Sequence, residues 1–154
     1  MKALLLLLAI LPSIVTHGQK IATTFQKAAD KGISMEKLDE TYQSALHSDS
    51  TKAAFKGQEK EFYDAYISLL KDLNKYLNKN NFTWDKSTRC FNRIYLNKSG
   101  EIDYFLFNFR PGEIDNQKEK EFEKLLGQFI KTYKFPLTNK NNFAQCSPVT
   151  YSAK

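Results

Sequence analysis

The chain has 154 residues, of which 42% are hydrophobic, 14% aromatic and 26% charged, a length and composition that fit one folded domain. Six Gly and four Pro residues exclude a low-complexity or disordered chain. The formal net charge of +6 comes mostly from lysine, with 20 Lys against three Arg, and the interspersed signs indicate a solvated surface with a bias toward anionic partners.

Residues 1–18 have the layout of a secretion signal. Lys2 supplies the positive start, residues 3–11 are apolar, and short residues lead to Gly18. The alternative is a membrane anchor, but the apolar stretch is too short and Pro12 interrupts it. We expect cleavage after Gly18, which leaves 136 residues, and a secreted or periplasmic protein with no membrane span.

Helical spacing of apolar residues predicts three helices in residues 19–84. The first contains Ile21 and ends at Gly32, and the second begins after an N-cap at Ser34. The third is the longest and covers residues 51–78, with Gly57 as a weak point near its start. Its apolar stripe is Phe55, Phe62, Tyr66, Leu69, Leu70, Leu73 and Leu77.

A period of two after residue 90 predicts two strands, residues 90–96 and 102–109, joined by a turn with Gly100 in the left-handed conformation. The predicted register pairs Leu96 with Ile102 and Ile94 with Tyr104. One face then carries Cys90, Ile94, Leu96, Ile102, Tyr104 and Leu106. The other carries Phe91, Arg93, Tyr95, Phe105, Phe107 and Phe109. Because both faces are rich in large apolar groups, we expect both to be covered.

An amphipathic helix over residues 119–133 and a last strand over residues 143–151 complete the pattern, with a capping box predicted at Asn116 and Glu119. Pro148 indicates a sheet edge or strand end. The expected fold is α+β: an N-terminal segment of three helices, then a β-β-α-β unit over residues 85–154 that packs with it as one domain. The predicted sheet has three antiparallel strands in the order 2-1-3.

Cys90 and Cys146 are the only cysteines. In a secreted chain an even count predicts a disulfide, and the 2-1-3 order places the two strands that carry them side by side. Such a bridge would contribute on the order of 4 kcal/mol. The alternatives are two buried free thiols, or a catalytic thiol, which is disfavoured because His47, the one histidine left after cleavage, lies in a different segment.

The β-β-α-β tail resembles the carboxy-terminal domain of the TonB family, with the hairpin at residues 93–109 and the helix at residues 119–133. The chain also resembles small uncharacterised secreted proteins of Gram-negative bacteria. The resemblance implies the fold of the tail and a cell-envelope setting. The chain departs from the TonB pattern in its cleavable signal, its lack of a Pro-rich spacer and its three preceding helices.

Arg89, Phe91, Arg93 and Tyr95 alternate along the first strand, and Asp103 lies on the next. An exposed surface of arginines and aromatic rings can stack sugar rings or bases, and secretion disfavours nucleic acid. This is the candidate ligand-binding face. The interpretation that we favour is instead a buried face that packs against the third helix, with arginine stems at its edge.

The close carboxylates Glu101 and Asp103, and Glu113 and Asp115, could serve acid–base chemistry. We interpret them instead as solubilising turn residues, with Asp103 as a partner of Arg93. The sequence has no HExxH, CxxC, GxSxG or phosphate-loop motif, and we predict no catalytic residue, metal or cofactor.

The leading hypothesis is a non-enzymatic binding or interaction module whose partner is a protein or glycan of the cell envelope. The alternative is a carbohydrate-binding protein or hydrolase that uses the sheet face at residues 89–109. Exposure of that face discriminates between them.

Overall fold

A computed structural model describes residues 20–153, and the predicted signal peptide lies outside them. The chain is α+β, with four helices and a five-stranded mixed sheet. In chain order the elements are β1 Ile21–Thr24, α1 Phe25–Asp30, α2 Met35–Thr41, β2 Gln43–Ser44, α3 Glu59–Lys79, β3 Thr88–Leu96, β4 Ile102–Phe109, α4 Asn116–Thr132 and β5 Phe143–Tyr151. A single 3₁₀ turn, Ser50–Lys52, precedes α3. Within residues 20–153, every helix is too short or too polar to cross a bilayer.

The strand order is β1-β4-β3-β5-β2. The three central strands are antiparallel and follow the predicted order, whereas β1 and β2 add parallel edges to β4 and β5. The prediction of a three-stranded antiparallel sheet is therefore wrong. The edge strands contain four and two residues, which is too short to show an alternating pattern, and they form by pairing with β4 and β5.

The N-terminal region is not a purely helical segment, so that prediction is also wrong. Ile21 lies in β1, and α1 begins only after Thr24, whose hydroxyl accepts a hydrogen bond from the Lys27 N–H. Gly57 has a φ of +77°, a conformation that a helix cannot contain, and α3 therefore begins at Glu59 instead of residue 51.

The hairpin turn places Gly100 at a φ of +84°, as predicted, but the strand register differs. Leu96 pairs with Ile102 and Tyr95 pairs with Tyr104, so Asp103 is an extra residue without a partner, a β-bulge. Beyond the bulge the remainder of β4 is shifted by one residue, which exchanges its two faces. The predicted assignment of Tyr104, Leu106, Phe105, Phe107 and Phe109 to faces is therefore wrong.

The main core lies between one sheet face and the two long helices. From the sheet it contains Ile94 and Leu96 of β3 and the three phenylalanines of β4. Helix α4 begins after an Asp115 N-cap, one residue before the predicted Asn116, and contributes a buried stripe. That stripe is Phe122, Leu125, Leu126, Phe129 and Ile130, and α3 contributes Phe62, Leu69, Leu73 and Leu77.

A smaller core covers the inner half of the opposite sheet face. Tyr95, Leu106 and Ala144 pack there against Ala28 and Tyr42, with Leu38 of α2 beside them. The prediction that α3 would cover this face is wrong, because the register shift directs the large phenylalanines of β4 toward α3 and α4. The short helices α1 and α2 cover only the inner half of the second face, so the expectation that both faces are covered is met only in part.

The predicted Cys90–Cys146 disulfide is not formed, and both thiols are free. The strands are adjacent as predicted, but Cys90 pairs with Val149 and Cys146 pairs with Arg93. A separation of three residues along β5 places the two side chains on opposite faces of the sheet. Cys90 is buried in the main core, where its thiol donates to Asn92 Oδ1 at 3.2 Å, and Cys146 is exposed.

Candidate functional site

The alternation along β3 places Arg89, Phe91, Arg93 and Tyr95 on the sheet face opposite α3 and α4. Their β3 neighbours Cys90 and Ile94 lie in the main core instead. The covering helices divide this face into an inner half, which they bury, and an outer half, which is open. The four predicted residues are split between the two halves.

The inner half is structural. Tyr95 is fully buried, and its hydroxyl donates to Asp39 Oδ1 at 3.0 Å. Burial raises the pKa of this hydroxyl. Arg93 donates to Asp39 Oδ2 at 2.5 Å and to the Met35 sulfur at 3.6 Å, and its guanidinium lies 5.9 Å from the Tyr95 ring centroid. Arg93 and Tyr95 thus hold α2 on the sheet.

Asp103 is not part of the arginine-bearing surface. The Tyr42 hydroxyl donates to Asp103 Oδ2 at 2.7 Å, and Asn97 Nδ2 donates to Oδ1 at 3.4 Å. Burial raises the pKa of this carboxyl, against the opposing effect of the Tyr42 hydrogen bond. The expected Arg93–Asp103 pair is therefore wrong, because Arg93 bonds to Asp39.

The outer half is open, and we call it the arginine face: Arg89, Phe91, Asn108, Arg110, Pro148 and Thr150. Together with Cys90 and Val149, these residues line a cleft of about 220 Å³. Phe91 is 40% exposed, one of two large hydrophobic side chains that are exposed among residues 20–153, and the edge of Phe25 is its aromatic neighbour at 6.1 Å. An exposed apolar ring and two arginines thus line the same, mostly apolar cleft.

All three arginines of the chain lie on this side of the sheet, although lysines outnumber them 20 to three. Arg89 Nε donates to Glu113 Oε1 at 3.0 Å, and the Arg89 side chain is 60% exposed. Arg93 lies in the inner half, next to the arginine face. Arg110 is exposed and forms no ion pair within residues 20–153. Its guanidinium is the group most available for an added anion.

Sequence reasoning found Arg89 and Phe91 but missed four residues of the arginine face: Asn108, Arg110, Pro148 and Thr150. Asn108 depends on the bulge, since the predicted register placed odd-numbered β4 residues on this face. Pro148 and Thr150 depend on the β3–β5 register, which pairs Phe91 with Pro148 and Arg89 with Thr150. The signal that could have identified Arg110 is the small number of arginines and their restriction to residues 89–110.

A larger cavity of about 510 Å³ lies beside the arginine face, at the start of α4, and we call it the Trp84 cavity. Its wall consists of Trp84, Asp85, Lys86, Thr88, Gly112, Glu113, Ile114, Asp115 and Lys118. Glu113 lies in the wall of the Trp84 cavity and Arg89 lies in the arginine face. Their ion pair therefore connects the edges of the two clefts. The sequence had indicated only Glu113 and Asp115 here, as solubilising residues.

His, Cys, Asp and Glu side chains do not assemble into a metal-binding group of three or more anywhere in residues 20–153. Comparisons with protein-family models, curated proteins and solved structures found no match for the chain. The resemblance to the TonB tail therefore stays a prediction.

Proposed function

We propose that the protein is a secreted or periplasmic, non-enzymatic binding module that recognises an acidic glycan through the arginine face. The observation that carries the proposal is a cleft in which Arg89 and Arg110 lie beside the exposed Phe91 ring, with Arg110 free of any ion pair within the described chain. The secreted location rests on the predicted signal at residues 1–18.

Arginine supports recognition of a carboxylate group. Its planar guanidinium matches a carboxylate with two parallel hydrogen bonds, which the point charge of lysine does not provide. Arg110 is unpaired within residues 20–153, and Arg89 has donors left after its bond to Glu113. Two guanidinium groups at one cleft therefore favour an anionic ligand.

The other residues of the cleft favour a sugar over an acidic peptide. Asn108 and Thr150 offer an amide and a hydroxyl, which can bond to ring hydroxyls, and Phe91 offers an apolar surface to the C–H side of a sugar ring. Because the cleft of about 220 Å³ is smaller than a typical small-molecule site of about 300–1,000 Å³, it suits one unit of a longer chain more than a whole small molecule.

The carboxylate nearest the cleft supports a binding role more than a catalytic one. Glu113 accepts hydrogen bonds from the Arg89 backbone N–H at 3.0 Å and from the Arg89 guanidinium. These bonds, the backbone one first, lower the pKa of Glu113. A carboxylate held ionised and doubly bonded is poorly suited to act as a general acid.

Titration calorimetry with oligogalacturonate tests the proposal, with an uncharged oligoglucose of similar length as the comparison ligand. We expect saturable binding of the acidic oligomer, weakened by salt. Arg110→Gln should lower the affinity roughly tenfold, the effect of one charged hydrogen-bonding group. Lys79→Gln, which removes the same charge from the exposed end of α3, should leave it unchanged.

Equal binding of the acidic and uncharged oligomers would overturn the proposal, as would equal losses in the two variants. Tighter binding of polyglutamate than of oligogalacturonate would assign the arginine face to an acidic peptide. Hydrolysis of glycosides, esters or phosphoesters that disappears in Asp103→Asn would establish the enzymatic alternative.

A further inference from the structure

The outer edge of β5 is open over most of its length. One side of β5 pairs with β3 along the whole strand, but on the other side β2 covers only the first two residues. There the Ala45 N–H donates to the Ala144 carbonyl at 2.8 Å. Because the backbone groups of successive strand residues point to opposite sides, those of Cys146, Pro148 and Thr150 also point away from β3. All three residues are exposed.

This edge has main-chain groups to which another strand can bind. Within residues 20–153, β2 reaches no further than Ala144, and the Cys146 carbonyl accepts only from the Gln145 side chain, at 3.1 Å. Cys146 and Thr150 each offer an N–H and a carbonyl, and Pro148 offers a carbonyl alone. Edge strands are usually protected by charges, but β5 contains no charged residue. An extended strand is therefore the occupant that the edge favours.

An apolar groove of about 340 Å³ lies along the same edge, and we call it the β5 groove. Residues 147–150 form one wall, and α3 contributes Tyr63, Ile67 and Leu70 to the other. Alternate side chains of a strand point to opposite sheet faces, so four consecutive residues can line one groove only where the strand edge itself is open. Tyr63 is 57% exposed at this groove.

A second copy of β5 fits the edge best in one register. When two β5 strands pair antiparallel with Pro148 opposite Pro148, Cys146 of each copy faces Thr150 of the other. Each of these two pairs exchanges two N–H···O bonds, which gives four bonds in total. A shift of two residues in either direction leaves two bonds within β5, because each proline then faces a residue whose carbonyl needs the missing N–H. Pro148 thus selects the register.

The two-fold axis of this register also brings two α3 helices together. Helix α3 packs over β5, where the Tyr66 hydroxyl and Ser147 Oγ share a hydrogen bond. Tyr66 and Ser147 directly precede Ile67 and Pro148 in the chain. An axis perpendicular to the sheet at Pro148 therefore passes near Ile67, and the two helices lie antiparallel on the same side of the joined sheet.

The charges of α3 are complementary about this axis. Asp64 lies about one turn before Ile67 and Lys71 about one turn after it, so Asp64 of each copy faces Lys71 of the other. Lys71 forms no ion pair within residues 20–153, and Asp64 bonds only to the exposed Lys60 of its own helix, at 2.6 Å. This complementarity favours a second copy of the chain over an unrelated strand.

We infer that the open β5 edge is an interface between two copies of this chain, which form a symmetric dimer with one continuous sheet. The two arginine faces then lie on one side of that sheet, opposite the two α3 helices. Dimer formation requires no ligand, so its test does not depend on the proposed function.

Sedimentation velocity of the chain without its predicted signal, over roughly 1–200 μM, tests the inference. We expect a mass that rises with concentration to that of two chains. Thr150→Pro removes two of the four edge bonds and should weaken the dimer about tenfold. The lost N–H points away from β3, so pairing within the chain is kept. Thr150→Ala keeps the N–H and should leave the dimer unchanged.

A charge exchange on α3 tests the position of the axis. Lys71→Asp places like charges opposite each other and should weaken the dimer several-fold, about what one exposed ion pair contributes. Addition of Asp64→Lys to the same chain should restore it. Lys124→Asp is the matched control, because Lys124 is an exposed residue of α4, which packs beside β1 at the other end of the sheet.

A monomer at every concentration would overturn the inference, as would a dimer that Thr150→Pro and Thr150→Ala affect equally. A monomer whose Cys146 and Thr150 amide signals move with an added Thr-Val repeat peptide would assign the edge to an extended peptide. Failure of Asp64→Lys to restore the Lys71→Asp dimer would reject the axis at Ile67. Should Thr150→Pro fail to fold, the charge exchange decides alone.

The outcomes also separate the dimer from ligand binding. A monomer that binds oligogalacturonate would support the proposed function and reject the dimer. A dimer that binds no oligogalacturonate would do the reverse.

Discussion

Tyr42 donates a 2.7 Å hydrogen bond to Asp103, the residue that the bulge adds to β4. Tyr42 immediately follows α2, and it is buried against the Tyr95 and Tyr104 rings at 5.3 and 6.4 Å. The bond therefore connects the end of the covering helix to the point where the hairpin register shifts. The arginine face lies outside the part of the sheet that α1 and α2 cover, and it remains open.

Removal of the Tyr42 hydroxyl tests that connection. Tyr42→Phe keeps the ring but leaves the half-buried Asp103 without its strongest donor, which costs about 1–3 kcal/mol. Urea denaturation should show the lower free energy of unfolding. Tyr63→Phe, at an exposed tyrosine of α3, is the matched control and should change stability little. Equal stabilities of the two variants would contradict a structural role for the bond.

The ionisation of Asp103 should make stability depend on pH. Burial raises the pKa of the folded carboxyl above the ordinary value of 3.8, so the unfolded chain loses this proton first. The contribution of Asp103 to stability is complete below pH 3.8 and is lost as the pH rises through the raised folded pKa. Other carboxyls also titrate there, so the measurement is the difference between wild type and Asp103→Asn.

As the pH rises through this window, the wild type should lose stability relative to Asp103→Asn. Urea unfolding at a series of pH values measures this difference. The amide that Asp103→Asn introduces cannot ionise, but its oxygen can still accept the Tyr42 hydrogen bond. Parallel stability curves for the two proteins would show that Asp103 titrates alike in the folded and unfolded states.

Gly100 and Gly112 form a matched pair of left-handed glycines, with φ values of +84° and +78°. A Cβ at Gly100 would lie 2.7 Å from the Phe135 carbonyl oxygen and 3.0 Å from that of Leu137, whereas one at Gly112 would meet nothing within 4 Å. Gly112→Ala should cost about 1–2 kcal/mol from backbone strain alone, and Gly100→Ala should cost more. Thermal unfolding of both variants tests this, and equal losses would exclude the predicted clash.

The apolar stripe of α4 should contribute strongly to stability. Leu126 is fully buried in the main core, and Leu126→Ala should cost about 2–5 kcal/mol. Lys124→Ala on the exposed side of the same helix controls for the change in helix propensity. If Leu126→Ala leaves the denaturation midpoint unchanged, α4 does not pack on the sheet.

The two cysteines should differ in thiol reactivity. Cys146 is exposed, whereas burial raises the pKa of Cys90 to about 12, and the thiolate is the reactive form. An aromatic disulfide reagent should label one thiol per native chain, none in Cys146→Ser, and two after unfolding. Absence of both free thiols in the purified, oxidised protein would instead support the disulfide that the sequence predicts.

Local sequence patterns determined much of the fold. The bounds of β4 and β5, the left-handed Gly100 turn, the amphipathic stripe of α4 and the order of the three central strands could all be predicted. Each depends on periodicity within a short segment or on the conformational range of one residue. The same alternation placed Arg89 and Phe91 together on one face of β3.

Only the tertiary structure decided which β4 residues share a sheet face with Arg89 and Phe91. The bulge at Asp103 decides this, and it is stabilised by Tyr42, a residue 61 positions away. The edge strands and the α1–α2 cover also form through distant partners, and periodicity within a segment carries no information about distant partners. A bulge of one residue reverses every later side chain of a strand. For that reason Arg89 and Phe91 could be predicted from the sequence, whereas Asn108, Pro148 and Thr150 required the strand registers of the folded chain.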